Sequence, residues 1–340
     1  MTKISVPGKL FLAGEYAITN PGNTAIVAAI TTGLSVEITP ATENSTIQSN
    51  TIKQLLLFQL DQLNKPWPDD WRYVWAAIKI IYDYNQLSDA IKSMDPIHIS
   101  INSHLNTSAG KIGLGSSAAV TVGIIAAFDD YFQLNLPILV RFKLAGLAHL
   151  HVQKNGSLGD IAAITYGGVI SYQSPDLSQY SQPNQNWLDA SLANQFWPNL
   201  NIQTLTWPQN WQLLLGMTHE SADTKAAINH VVLSEQFLTA SQQIVNDIIQ
   251  AIQDVNYTEL SITLTDNQQL LTANLPTNYI TPKLAHLLSD LDGIAGKISG
   301  AGFGDNGFAV TNYDDQKLTV KWQSHHIDSQ HITIAPRQRG

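Results

Sequence analysis

The order of apolar and polar positions along the chain predicts several strands. Residues 34–38 and 97–101 alternate apolar and polar side chains, which is the period of a strand with one buried face. Short apolar runs between glycines and polar residues predict further strands at residues 4–6, 10–13, 26–30 and 169–172. A last strand is predicted near residues 331–335.

Apolar residues at helical spacing predict helices between these strands. The clearest helix covers about residues 71–84, where the shared apolar stripe consists of Tyr73, Val74, Ala77, Ile78 and Ile81. Other helices are predicted at residues 52–63, 118–132, 137–153 and 316–324, and helical patterns fill about residues 224–275. Because strands and helices are mixed without a regular alternation of one strand and one helix, the pattern favours an α+β fold.

A loop-rich segment divides the predicted elements into two groups. Residues 174–210 are rich in Pro, Asn, Gln and Trp, a composition typical of loops. A chain of 340 residues is long enough for two closely packed domains. We therefore predict an N-terminal domain over residues 1–175 and a C-terminal domain over residues 176–340.

Composition excludes several kinds of chemistry. The chain has no cysteine, which excludes disulfides, thiolate metal sites and cysteine nucleophiles. The formal net charge of −9 argues against nucleic acid as a partner, because an acidic chain repels the phosphate backbone. No apolar run reaches the roughly 18–20 residues that span a bilayer. The first residues show no signal peptide, so we expect a cytoplasmic protein that does not enter a membrane.

A glycine-serine loop, residues 113–119, runs directly into a predicted apolar helix. Glycines let the backbone approach an anion closely, and the start of a helix offers free N–H groups and the positive end of its dipole. Of the two hydroxyls, one is free to bind phosphate and the other to reach Mg²⁺. The segment lacks the Gly-Lys-Ser/Thr ending of a Walker A motif. Taken alone, it fits a phosphate site or a plain helix cap.

Three further features are ambiguous when each is considered alone. Lys9 is a lone cation in an apolar strand, either a site residue or an edge lysine whose head reaches water. Asp160 precedes an apolar run and suits an N-cap or a carboxylate that faces a lysine or a metal. The glycine-rich turn over residues 299–305 indicates close backbone approach to a ligand or to a neighbouring strand. The histidine spacings predict no zinc site.

Taken together and in order, these motifs resemble those of one kinase superfamily. The segments Pro7-Gly8-Lys9-Leu10 with Gly14-Glu15-Tyr16, then residues 113–119, then residues 299–305, are similar to the three motifs of the galactokinase, homoserine kinase, mevalonate kinase and phosphomevalonate kinase (GHMP) superfamily. The resemblance covers nearly the whole chain. It implies two lobes with the site between them. The N-terminal lobe would contain a left-handed β-α-β unit, and the C-terminal lobe would be ferredoxin-like.

Within the superfamily the chain is most similar to the bacterial phosphomevalonate kinases. The similarity includes Lys111 before the glycine-serine loop, the segment Asn155-Gly156-Ser157-Leu158-Gly159-Asp160, Gly216-Met217-Thr218 and Thr224. Two departures affect the expected shape of the substrate pocket. Phe303 stands where the family usually has the middle glycine of three, and Met217 and His219 replace a tryptophan and a glycine.

This resemblance implies an ATP-dependent kinase of the mevalonate route that uses Mg²⁺. Lys9 and Asp160 would be catalytic, and Ser117 would bind the metal ion. The residues implied to bind ATP are Lys111, Gly113, Leu114, Gly115, Ser116, Ser117 and Ala118. Those implied to bind the acceptor are Lys9, Glu15, Tyr16, Lys154, Ser157, Ser299, Gly300, Ala301 and Gly302.

The acceptor implied by the resemblance is the phosphate group of 5-phosphomevalonate. Mevalonate kinase, diphosphomevalonate decarboxylase and a nucleotide-binding regulator without turnover are the alternatives. Lys9, Ser117 and Asp160 together argue against the regulator. The protein is expected to be a monomer or a homodimer.

Overall fold

A computed structural model describes residues 1–59, 62–86, 95–107, 110–111, 113–180, 186–220, 233–312 and 315–338. Within these ranges, no helix is both long enough and apolar enough to cross a membrane. The elements form two layered lobes, each with a sheet covered by helices. This arrangement confirms the α+β class.

Among the described residues, the first sheet has seven strands built around one long strand. They are β1 (Thr2–Ala13), β2 (Thr24–Pro40), β3 (Ser45–Ser49), β4 (Ile52–Phe58), β5 (Ile97–Ser103), β8 (Val169–Gln173) and β9 (Asn201–Leu205). Their order is β4-β3-β5-β2-β8-β9, and β1 pairs with β2. The short hairpin β6 (Asn106–Thr107) and β7 (Gly110–Lys111) stands apart from this sheet.

The long strand β2 pairs with three other strands, and its two halves have different neighbours. Its first half pairs with β8, its second half pairs with β5, and β1 runs antiparallel to it with a register shift between Pro7 and Gly8. At the shift, a Cβ on Gly33 would lie 1.8 Å from the carbonyl oxygen of Val6. Only glycine permits this approach, and the resulting bend directs the second half of β1 towards the glycine-serine loop.

In the part of the chain that the structure describes, four helices cover this sheet. They are α1 (Arg72–Gln86), α2 (Ser116–Tyr131), α3 (Ile138–Gln153) and α4 (Gly159–Tyr166). Helices α2, α3 and α4 are buried over most of their length, and the alanines and glycines among their buried residues allow the helix backbones to pack close to the sheet and to one another. Helices α1, α2 and α3 were predicted by their apolar spacing, whereas the sequence indicated only a short apolar run where α4 lies.

The second sheet has the strand order of a ferredoxin-like fold. It contains β10 (Gln212–Met217), β11 (Ala295–Ser299), β12 (Asn306–Thr311) and β13 (Asp328–Ile332), in the order β11-β12-β10-β13. Its helices are α5 (Glu235–Gln253), α6 (Tyr257–Asn274), α7 (Pro282–Asp290) and α8 (Gln316–Ser324). With every pair antiparallel, the chain follows the β-α-β-β-α-β path predicted for this lobe.

The helix predicted over residues 52–63 is wrong, because this segment begins with strand β4. Its apolar residues pair with β3, which places Leu57 opposite Thr46 and Leu56 opposite Ile47. The turn between the two strands is held by Asn50, whose side chain exchanges two hydrogen bonds with the backbone of Ser103. These pairings across the sheet stabilise a strand that helical spacing alone did not reveal.

Other predicted boundaries shift without changing the element type. The strand predicted at residues 331–335 is β13, which begins at Asp328, and Ile334 forms a separate bridge with Ile30. The loop-rich segment 174–210 contains β9, which pairs with β8 of the first sheet. The division into residues 1–175 and 176–340 and the left-handed β-α-β unit stay predictions.

Candidate active site

Lys9 points from the bent second half of β1 towards the glycine-serine loop. Its backbone N–H donates to the carbonyl oxygen of Leu114 at 3.0 Å, and its ammonium group donates to the carbonyl oxygen of Gly113 at 3.0 Å. The ammonium group also lies 5.3 Å from the centre of the Phe11 ring. Lys9 is therefore bound to the loop at both its backbone and its side chain, instead of extending freely into water.

The glycine-serine loop leads directly into helix α2, which begins at Ser116. Gly113 and Gly115 have positive φ angles of 71° and 86°, and Gly115 forms the N-cap without a side-chain hydrogen bond. A Cβ on Gly115 would lie 2.8 Å from Cγ of Lys9. The glycines thus allow the lysine stem to pack against the start of the helix, where N–H groups are available to an anion.

Ser117, in the first turn of α2, lies beside a buried histidine. Nε2 of His149 lies 3.3 Å from Oγ of Ser117, and the imidazole ring stacks on Tyr73 with 5.4 Å between ring centres. His149 is 5% exposed. Sequence reasoning missed this neighbour, since α1, α2 and α3 bring the three residues together and no local motif marks them.

Asp160 lies in the first turn of α4 but does not cap it. The helix begins at Gly159, its N-cap is Leu158 with a φ of 65°, and one carboxylate oxygen of Asp160 accepts a hydrogen bond from the N–H of Ile161 at 2.8 Å. The preceding loop is fixed by the hydroxyl of Tyr172, which donates to the carbonyl oxygen of Ser157 at 2.6 Å. The N-cap interpretation of Asp160 is therefore wrong.

A cavity of about 430 Å³ lies between the lobes and brings the predicted residues together. Lys9 and Asp160 both line it, as does His149. Its other lining residues come from both lobes: Phe11, Glu15, Tyr16, Ile18, Thr19, Gln153, Asn155, Gly156, Ser157, Leu158, Leu233, Gly300 and Ala301. A smaller cavity of about 250 Å³ continues from it along residues 155–158 and is lined by Lys154.

Glu15 forms a buried ion pair across the lobes. One carboxylate oxygen lies 2.6 Å from the ammonium group of Lys297 on β11, and the side chains of Glu15 and Lys297 are 4% and 0% exposed. Burial lowers the pKa of Lys297, and the negative charge of Glu15 opposes this shift. The second oxygen of Glu15 is buried without a hydrogen-bond partner among the described residues.

The glycine-rich turn after β11 is attached to the N-terminal lobe. The hydroxyl of Ser299 donates to the carbonyl oxygen of Phe11 at 2.8 Å, and the hydroxyl of Tyr16 donates to the carbonyl oxygen of Ala301 at 2.5 Å. Burial raises the pKa of Tyr16, with a smaller contribution from the charge of Glu15, so the phenol stays a donor. Of the predicted acceptor residues on this turn, Gly300 and Ala301 line the cavity.

Phe303 does not line the cavity. Its ring packs edge-on against Tyr279, with 5.9 Å between centres, in an apolar cluster of the C-terminal lobe. A Cβ on Gly302 would meet the same tyrosine ring at 2.2 Å. The departure from the usual three glycines therefore fills space beneath the turn.

Some predicted residues fall where the structure offers no side-chain description. Lys111 is part of β7, but its side chain lies outside the described residues, and so does Thr224.

Lys154 is the C-cap of α3, with a left-handed backbone conformation and an exposed side chain. Within the described ranges, no group of three or more histidine, aspartate or glutamate residues could hold a metal ion.

Comparisons with known proteins agree on one family. Residues 72–168 match the family described as GHMP kinases N terminal domain. The phosphomevalonate kinase of Streptomyces sp. strain CL190 is 30% identical over 94% of this chain and 93% of its own length. The mevalonate kinase of Methanocaldococcus jannaschii is 30% identical over 50% of this chain and 54% of its own length.

A solved structure covers almost the whole fold. Streptococcus pneumoniae phosphomevalonate kinase, in complex with phosphomevalonate and AMPPNP, superimposes with a TM-score of 0.86 and 25% identity. The match covers 97% of this chain and 100% of that chain.

Proposed function

The chain belongs to the GHMP kinase family, and we propose that it is a phosphomevalonate kinase. It would transfer the γ-phosphoryl group of ATP to the phosphate group of (R)-5-phosphomevalonate, giving 5-diphosphomevalonate and ADP. The observation that supports this most is the cavity between the lobes that Lys9 and Asp160 both line, with Lys9 hydrogen-bonded to the loop that leads into α2. The full-length similarity to a phosphomevalonate kinase supports the acceptor.

Catalysis would consist mainly of positioning and charge neutralisation. The N–H groups at the start of α2 would bind the β- and γ-phosphates, as helix N-termini bind anions elsewhere. Lys9, already directed at this loop, would bridge the transferring phosphoryl group. Lys111 would add a cation to the nucleotide site. Asp160 would orient Lys9 across the cavity that both residues line.

Ser117 fits the role of a magnesium ligand. Mg²⁺ is usually held by one or two protein oxygens together with substrate phosphates, and the Ser117 hydroxyl lies in the first turn of the phosphate-binding helix. Its contact with His149 would keep this hydroxyl oriented. When bound, the ion would neutralise charge that develops on the phosphate oxygens.

The acceptor would occupy the side of the cavity formed by both lobes. Glu15, Tyr16, Ser157, Gly300 and Ala301 line this side and would contact the acceptor. Lys154, in the adjoining smaller cavity, would bind the acceptor phosphate. Ser299 and Gly302 would act by holding the turn. The choice between monomer and homodimer and the cytoplasmic location stay predictions.

An ADP-release assay with three acceptors tests the proposal. Turnover with 5-phosphomevalonate is expected, and mevalonate and 5-diphosphomevalonate should be poor substrates. Mevalonate kinase is the second candidate, favoured by the match over half of the chain. Preferential turnover of mevalonate would establish it, and phosphate and CO₂ release from 5-diphosphomevalonate would establish a decarboxylase. No turnover with any of the three would leave a nucleotide-binding regulator.

Asp160→Asn should lower kcat by about tenfold to a hundredfold, because the variant removes the charge that orients Lys9. Its pH dependence near neutrality should not steepen. A phosphate monoester has a second pKa near 6 and is mostly dianionic at pH 7, so the attacking oxygen needs no base. Profiles of kcat against pH for both proteins provide the measurement. A new slope above neutrality in Asp160→Asn would indicate a hydroxyl acceptor.

A further inference from the structure

Asp305, the last residue of the turn after β11, is firmly anchored in the C-terminal lobe. Its backbone oxygen accepts a hydrogen bond from the hydroxyl of Thr218 at 2.8 Å, and the same hydroxyl donates to the carbonyl oxygen of Gly304. Thr218 is fully buried and directly follows β10, one of the two inner strands of its sheet. The backbone of Asp305 is therefore held by the core of this lobe.

The carboxyl group of Asp305 reaches across to the glycine-serine loop of the other lobe. A Cβ on Gly113 would lie 2.1 Å from one carboxylate oxygen, so the carboxyl group is in direct contact with the Gly113 backbone. The carbonyl oxygen of Gly113 accepts the hydrogen bond from the ammonium group of Lys9. The second oxygen of Asp305 would lie 3.7 Å from a Cβ on Gly300. The carboxyl group is thus lodged between the two glycine turns.

The Asp305 carboxylate has the same sign of charge as the phosphates of the expected nucleotide and would repel them. Burial raises the pKa of Asp305 to about 6, and the positive charge of Lys9 opposes this rise, so the group is mostly ionised above neutral pH. Glu220, which follows β10 and packs against Gly304, already accepts a hydrogen bond from Thr281 at 2.8 Å. An anion beside a phosphate-binding loop weakens nucleotide binding. A carboxylate that weakens nucleotide binding must therefore contribute something other than affinity for the bound nucleotide.

We propose that Asp305 is a positioning residue for the transfer reaction, and that its carboxylate holds the Gly113 turn and the Lys9 ammonium group in the geometry that transfer requires. This inference rests on the proposed function for its effect on turnover. A lysine side chain has four flexible bonds, and a fixed negative charge nearby restricts the ammonium group before the phosphates arrive. An ammonium group that is already held in position stabilises the transition state. The repulsion between the Asp305 carboxylate and the phosphates also acts on the bound nucleotide and so weakens its binding.

Asp305→Asn separates these two effects, because it preserves shape and removes the charge. We expect kcat for 5-phosphomevalonate to fall by about tenfold or more, while the Kd of the magnesium complex of AMPPNP, measured by calorimetry without acceptor, falls by about threefold or more. A role limited to supporting the loop would instead raise Kd together with any fall in kcat. Asp305→Ser, which also removes the charge with a smaller side chain, should give the same opposite changes.

Asp292→Asn is the matched control. It removes one aspartate charge from an exposed turn residue with a φ of 44°, a conformation that asparagine also adopts. Its kcat and Kd should equal those of the unaltered protein. The inference is overturned if Asp305→Asn and Asp305→Ser leave kcat unchanged or bind AMPPNP more weakly. If the unaltered protein turns over no acceptor, the proposed function fails, and the Kd comparison still decides whether Asp305 opposes the nucleotide.

Discussion

Lys9→Met should lower kcat by about a thousandfold, the largest effect we expect on activity. Methionine retains an unbranched stem that can pack against Gly115, so the loop should keep its shape. The variant loses the ammonium group that is bound to the Gly113 carbonyl, in the loop that leads into the N-terminal end of α2, where we propose that the phosphates bind. Steady-state ADP release with saturating ATP and 5-phosphomevalonate provides the measurement.

Lys3→Met is the control for this substitution on the same strand. Lys3 has a side chain that is 62% exposed and lies 3.8 Å from Glu37, far along β1 from the cavity. It should retain full activity. If Lys9→Met keeps more than about a tenth of kcat, the contribution of Lys9 would be below that of one hydrogen-bond donor to a transition state, and its assignment as catalytic would be wrong.

Lys297→Met should lower the free energy of unfolding by about 3–5 kcal/mol, the largest effect we expect on stability. Removing the ammonium group leaves the carboxylate of Glu15 buried without its 2.6 Å partner, and the other oxygen of Glu15 has no partner among the described residues. An uncompensated buried charge is far more unfavourable than the loss of an exposed pair. Urea denaturation followed by circular dichroism measures the change.

Two variants test the cause of this loss. Glu15→Gln combined with Lys297→Met removes both charges and should recover most of the stability, because a neutral pair needs no compensation in the interior. Lys3→Met, which breaks an exposed pair, should change the free energy by less than about 1 kcal/mol. A loss of similar size in Lys3→Met, or no recovery in the double variant, would contradict the buried-charge explanation.

Much of the fold could be predicted because its signals are local. The period of apolar residues in α1 and the alternation in β5 depend only on neighbouring positions, and both elements were predicted correctly. Strand β4 was mistaken for a helix because its conformation depends on pairing with β3 and on the Asn50 turn, which no single segment contains. Strand β9 was missed within a loop-rich segment for the same reason.

The residues of the candidate site likewise include some that the sequence predicted and some that it did not. Lys9, the glycine-serine loop and Asp160 stand out in the sequence through unusual residues in apolar surroundings. The structure brings Lys9 and Asp160 to one cavity and attaches Lys9 to the loop. His149 and Asp305 were missed as partners of that site. Their partners lie on other elements, and only the packing of α1 and α3 against α2, and of one lobe against the other, makes those contacts.

The sequence by itself determined the α+β class, most elements and the glycine-serine loop at the start of a helix, because backbone preferences and hydrophobic period act over a few residues. The tertiary structure alone decided what surrounds that loop. It placed Lys9 against Gly113, Ser117 against His149 and the Asp305 carboxylate between two glycine turns. These contacts join residues from distant parts of the chain, and charge and burial at such contacts exist only once both lobes have packed.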